Sequence, residues 1–258
     1  MKIGGIVSTM FFFLLLAATG WTQTEGENST NKIYSSSTGL SALLTAGNSK
    51  DLTISLDTDQ NLSFNKDKLN FKGQVIYTRS NEENKSEIYS ASLKYDRRLN
   101  NRSYLLGITQ FSRNVLSGYN SRLAFMAGAG YSWIKKEHLF LATEMAFGGS
   151  TENNTEQTAN GTPAPFKKTS LVSFFSSLLT AKMKWAISSA AEFTFQEDLL
   201  LNFANLSGYR LDTRSSLSVA INKLFALKTS IQVLYENIPV QGHVKTNIYA
   251  LSSIIVKF

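Results

Sequence analysis

Apolar and polar residues alternate almost one by one along the chain from Thr38 onward. A period of two sends neighbouring side chains to opposite faces of a strand, so this pattern predicts β-structure with two unlike faces. Leu52, Ile54, Leu56, Leu62 and Phe64 are interleaved with Thr53, Ser55, Asp57, Asp59 and Ser63. Leu123, Phe125, Ala127, Ala129, Tyr131 and Trp133 oppose Arg122, Ala124, Gly128, Gly130 and Ser132. Leu211, Leu217, Val219 and Ile221 oppose Arg210, Asp212, Arg214 and Ser218, and the pattern returns around Leu69–Tyr77, Tyr89–Asp96 and Phe225–Glu236. About twelve such segments follow one another at roughly 20 residues each, strand plus connection, with no helix-period stretch among them. The alternation is least clean around Tyr104–Arg113, and Glu197 falls on an otherwise apolar face.

Connections alternate between short and long. The short ones are Asn65-Lys66-Asp67, Asn100-Asn101-Arg102, Lys135-Lys136-Glu137-His138, Ala186-Ile187-Ser188 and Asn222-Lys223. Longer ones are expected over residues 81–86, 116–120, 151–168, 205–208 and 237–244, and Pro163, Pro165 and Pro239 all fall in these. That distribution predicts an up-and-down meander with one tidy end and one elaborate end, in which every strand is hydrogen-bonded on both sides.

A soluble sandwich and a membrane barrel both alternate. Segments of about 10 to 13 residues suit tilted strands crossing a bilayer, and aromatics (Tyr131, Trp133, Trp185, Phe203, Tyr209) gather at the ends of the apolar stripe. The polar stripe carries both charge signs, which suits a wet or salt-bridged lumen. Its candidate lumen charges are Asp57, Asp59, Lys72, Lys94, Asp96, Arg122, Glu144, Arg210, Asp212, Arg214 and Lys228, with Lys182, Lys184 and Glu192 beside them. A closed barrel satisfies every backbone group in lipid, which an open sheet cannot. The expected fold is therefore a closed antiparallel up-and-down transmembrane β-barrel of about twelve strands, all-β, over residues 38–258. With both ends on the periplasmic side, an even strand number follows.

The first residues read as a secretory signal over 1–22. A positive Met1-Lys2 precedes the apolar Met10-Phe11-Phe12-Phe13-Leu14-Leu15-Leu16 and a small-residue stretch around Ala17-Ala18-Thr19-Gly20. Residues 23–37 are expected to be a flexible polar segment. Export to the bacterial outer membrane through a cleaved signal is the implied location. No other run is long enough for a membrane helix, which accords with the mean hydropathy of −0.11. The absence of cysteine excludes a disulfide scaffold, a thiolate metal site and a cysteine nucleophile.

Gly39-Leu40-Ser41 followed by Ala46-Gly47-Asn48-Ser49 resembles the opening of the salt-induced outer membrane protein family (domain of unknown function 481), with Ser49 where that family has Thr. Leu93-Lys94-Tyr95-Asp96 and Arg122 with Gly128-Ala129-Gly130-Tyr131 are similar to its middle strands. Tyr235-Glu236-Asn237-Ile238-Pro239, then Lys245-Thr246-Asn247 and a terminal Phe258, are similar to its closing hairpin. The resemblance implies an outer-membrane barrel and no particular activity.

For chemistry the sequence offers little. The two histidines, His138 and His243, lie in predicted turns, without a Gly-x-Ser-x-Gly elbow or a His-x-Ser pattern. Asp57 and Asp59, two residues apart on one strand face, read first as partners of Lys72, Lys94 or Arg122, and second as an acid/base or cation pair. Arg210, Asp212 and Arg214 read as interlocking lumen charge, or as an anion-attracting constriction. Gly128-Ala129-Gly130 lies inside a strand, which makes close packing a better reading than a phosphate loop. No cofactor, metal or nucleic acid is expected, because the net charge of +7 is spread around the barrel. Expected partners are outer-membrane lipid, lipopolysaccharide reached by Arg79, Lys85, Lys167, Lys168 and Lys245, and the barrel assembly machinery through Phe258. The expectation is a non-enzymatic barrel, either a narrow channel or a structural envelope barrel. A lipid- or peptide-processing barrel enzyme and an adhesion barrel using residues 151–168 are the alternatives.

Overall fold

The computed structural model describes residues 32–45, 51–80, 85–114, 118–154, 171–240 and 243–257. The signal segment, most of the 151–168 connection, the Gly47-Asn48 turn and Phe258 lie outside these residues.

Twelve antiparallel strands close into one barrel: β1 Lys32–Thr45, β2 Asp51–Phe64, β3 Asp67–Ser80, β4 Lys85–Arg98, β5 Ser103–Asn114, β6 Tyr119–Lys135, β7 Leu139–Asn154, β8 Leu171–Ala186, β9 Ala191–Asn202, β10 Arg210–Ala220, β11 Phe225–Glu236 and β12 Thr246–Lys257. Each strand pairs with its sequence neighbour, and β1 pairs with β12 to complete the ring. Strand β1 begins at Lys32, so residues 32–37, expected to be flexible, are strand paired with residues 59–64 of β2. A full ladder of backbone hydrogen bonds outweighs the polar side chains of that stretch.

The five short connections share the end where β1 begins and β12 finishes, here the turn end. The tightest is Asn65-Lys66, where Asn65 adopts a positive φ of 53°, a conformation Asn tolerates better than most residues. The opposite, loop end gathers the longer connections.

The outer wall carries the apolar stripe: Leu93, Tyr95, Leu105, Phe125, Phe147, Phe175, Leu217, Leu227, Ile231 and Ile254 are exposed. Aromatics mark both rims. Tyr131 packs edge-on against Trp133 at the turn end (centroids 4.8 Å apart), and Phe203 stacks on Phe175 (5.6 Å) toward the loop end. Glu197, the exception on this wall, accepts a 2.5 Å hydrogen bond from the Thr213 hydroxyl on the next strand.

The irregular stretch of β5 has a structural cause. Tyr104, Leu106 and Ile108 point inward and pack with Ala124, Met126, Ala146, Leu178 and Leu200, so one sector of the interior is apolar and β5 carries apolar residues on both faces. Gly130 is required there. A Cβ at that position would lie 2.2 Å from the Tyr104 ring, so the glycine leaves the space the ring fills.

Candidate functional site

The inward-pointing polar residues line a cavity of about 640 Å³ to which, among the described residues, every strand except β1 contributes. Ten of the eleven predicted lumen charges form its wall: Asp57, Asp59, Lys72, Lys94, Asp96, Arg122, Arg210, Asp212, Arg214 and Lys228. The eleventh, Glu144, is buried beneath them. Strand parity places them all on one face, and register decides which of them meet.

Near the turn end, Glu144 on β7 is the hub. Its Oε1 accepts from Lys94 Nζ (2.6 Å) and Tyr104 Oη (2.7 Å), and its Oε2 from Lys182 Nζ (2.8 Å). Lys94 also donates to Asp96 at 3.0 Å and sits 5.3 Å over the Tyr104 ring. Three donors converging on one carboxylate compensate its desolvation.

At mid-height, Asp198 accepts from Thr180 (2.6 Å) and Gln196 (2.6 Å), while Arg214 pairs with Asp212 and approaches Asp198 at 3.7 Å. Asp212 also accepts from Gln232 at 2.9 Å. The Arg210, Asp212 and Arg214 trio therefore splits: the last two belong to this layer, and Arg210 turns to the loop end.

There Arg122, Glu152, Arg210 and Glu236 form a four-membered ring of alternating charge. Arg122 Nε lies 2.8 Å from Glu152 Oε1, and its Nη2 donates to Glu236 Oε1 at 3.3 Å. Arg210 donates to Glu152 through both terminal nitrogens, one bond measuring 2.8 Å, and its Nε lies 3.5 Å from Glu236. The ring joins β6 and β7 to β10 and β11 across the barrel interior. Its carboxylates are buried, Glu152 at 5% exposure, its arginines are mostly buried, and the Arg122 guanidinium lies 3.9 Å over the Tyr119 ring.

Asp57 and Asp59 do not act as a pair. Asp57 accepts from Lys228 at 3.1 Å, a partner not foreseen from the sequence, while Asp59 accepts from Asn61 (2.9 Å) and Asn70 (2.6 Å) and has Lys72 at 3.8 Å. Gly39 permits the first contact, since a Cβ there would lie 2.7 Å from Asp57 Oδ1. Glu152 falls inside the connection expected over residues 151–168 and so is absent from the candidate lumen charges. Strand β7 extends to Asn154 and brings it into the lumen. The signal was present: Glu144, Ser150 and Glu152 share one parity. Asp198 carried the same signal on β9.

His138 is exposed in the turn after β6, far from His243, whose ring lies against the Gly118 backbone at the loop end. Among the described residues no three histidine or carboxylate side chains are grouped as metal ligands.

The uncharacterized protein YdiY of Escherichia coli K12 is 23% identical over 197 residues, covering 76% of this chain and 72% of its own. Among solved structures, the translocator domain of the autotransporter NalP from Neisseria meningitidis is similar with a TM-score of 0.48 at 9% identity, covering 99% of this chain and 96% of that one. The NanC porin matches with a TM-score of 0.46 at 9% identity over 86% and 97% of the two chains. An outer membrane channel from Pseudomonas putida F1 gives 0.45 at 10% identity over 93% and 100%. The model of the family described as protein of unknown function, DUF481, matches residues 38–258, and the chain belongs to that family.

Proposed function

We propose that this protein is a bacterial outer-membrane barrel whose interior is a narrow polar passage for small hydrophilic solutes, barred at its loop end by the Arg122–Glu152–Arg210–Glu236 ring. The membrane location rests on a closed ladder of twelve strands beneath an exposed apolar outer wall with aromatic rims. In this reading the turn end faces the periplasm, the loop end faces outward, and the protein works without catalysis. The carrying observation is the cavity itself. It has room for water, charges of both signs line it, and an alternating ion-pair ring spans its loop end. A passage so lined discriminates by size and by local field rather than by net charge.

Conductance in a planar bilayer tests this. The native protein is expected to show rare, small discrete openings. Glu152→Gln, which removes the charge shared by both arginines, is expected to make them frequent. Absence of discrete openings from both the native protein and Glu152→Gln would overturn the passage and leave a structural barrel.

A further inference from the structure

The ring of strands is not uniformly closed. Every neighbouring pair is registered over ten or more residue pairs, except the seam between β1 and β12. That seam is registered over four, from Ser37↔Lys257 to Leu40↔Ile254, all toward the turn end. Above Leu40 and Ile254 the ladder stops, although β1 continues to Thr45 and β12 begins at Thr246.

The paired and unpaired halves differ in bracing. On the lumen side of the paired half, Lys228 of β11 reaches over β12 and β1 to Asp57 of β2 at 3.1 Å, lying across Gly39. This ion pair straps the lower seam. In the upper half the cavity reaches β12 at Tyr249 and Leu251, next to Leu234 of β11. On the opposite face of the same stretch Ile248 is 66% exposed toward the lipid side, and Ala250 and Ser252 are exposed with it.

Unpaired backbone is expensive against hydrocarbon and is tolerated where it borders a water-filled cavity. On the β12 side it borders one, at Tyr249 and Leu251. The loop end above is spanned by the ion-pair ring, so the gap offers a way sideways. On its β12 side the rim is mixed, with Ile248, Ala250 and Ser252 outside and Tyr249 and Leu251 inside, and the wall beyond is polar, with Ser230, Gln232 and Lys228.

We propose that the upper half of the β1–β12 seam is a lateral portal through which an amphipathic lipid with a long acyl chain passes between the outer leaflet and the lumen. The acyl chain slides past Ile248 and Leu251 while the polar group moves into the charged interior. The portal shuts when the existing register zips upward. The proposal rests on the membrane-barrel reading, but not on conduction through the loop end.

The chain lacks cysteine, which makes the test clean. The protein is reconstituted in phosphatidylethanolamine–phosphatidylglycerol vesicles containing a diazirine-bearing long-chain fatty acid, irradiated, and the labelled residues mapped by mass spectrometry. Label is expected at lipid-facing Ile248 and also at lumen-facing Tyr249 and Leu251. Continuing the seam register upward would oppose Ala42 to Ser252 and Ser41 to Ser253. Oxidising the Ala42→Cys/Ser252→Cys protein, or the Ser41→Cys/Ser253→Cys protein, should abolish the lumen label and spare that at Ile248. Reduction should restore it.

Label confined to the outer wall, or lumen label that survives locking, overturns the portal while leaving the barrel in the membrane. Failure of both cysteine pairs to oxidise overturns a seam that can close, and disulfide-linked dimers would assign the free edge to a second copy. Absence of label from Ile248 as well would count against the membrane reading itself.

Discussion

Two ion-pair clusters eight residues apart on β7, roughly 26 Å along the strand, carry the same charge balance and are built differently. At the turn end the cations are lysines. Lys94 and Lys182 converge with Tyr104 on Glu144, and the Tyr104 ring fills the space over Gly130 and packs into the apolar sector. At the loop end the cations are arginines, each serving two carboxylates, so that Arg122 and Arg210 with Glu152 and Glu236 make a bar from β6–β7 to β10–β11. An ammonium is a point donor that suits a hub, whereas a guanidinium offers a fork that can bridge. All three arginines lining the cavity stand in the loop-side and middle layers, and lysines supply the other cavity cations. The lower cluster is part of a wall; the upper one joins two walls.

Removing a carboxylate from the bar is the most severe way to break that contrast. Glu152→Ala leaves two buried guanidinium groups short of a partner, and the expected loss is about 3 kcal/mol of unfolding free energy, measured by urea titration in vesicles. Loss confined to a few tenths would mean that water already serves the arginines. Gly130→Val tests the wall. The new side chain collides with Tyr104, displaces it from Glu144, and should cost about 2 kcal/mol by overpacking. Pairing it with Tyr104→Ala should recover much of that deficit, which a purely backbone effect of valine would not.

Tyr104→Phe keeps the ring and removes one of three donors to Glu144. About 1 kcal/mol is expected, visible as a lower temperature for the heat-modified shift on gels. The smallest effect belongs to Lys72→Gln. The Lys72–Asp59 pair is 3.8 Å apart and its side chains are 44% and 42% exposed, so solvent screening leaves at most about 0.3 kcal/mol. A loss as large as that of Tyr104→Phe would show that this part of the lumen is drier than its exposure implies.

Much of this architecture was legible beforehand. Leu123, Phe125 and Tyr131 against Arg122 and Ala124 declare a strand within a few residues, and the short turns at Asn65-Lys66 and Lys136-Glu137-His138 declare where it reverses. The illegible parts share one trait. Tyr104, Leu106 and Ile108 blurred the alternation because their sector of the lumen is apolar, and the apolar character of that sector is set by Met126, Leu178 and Leu200 on other strands. Glu152 was hidden by a strand longer than its pattern suggested.

By itself, then, the sequence determined the strand count, the order of reversals and the face each charge occupies, because side-chain parity and turn chemistry act over a handful of neighbouring residues. Only the tertiary structure decided that Asp57 meets Lys228 across the seam, that Arg210 leaves Arg214 to join Arg122, and that β1 and β12 zip over four pairs instead of their full length. The Asp57–Lys228 contact joins residues 171 positions apart, and the seam pairs join residues still farther apart in the chain. Closure, register and the side chains between them set such meetings, and no local pattern encodes all three.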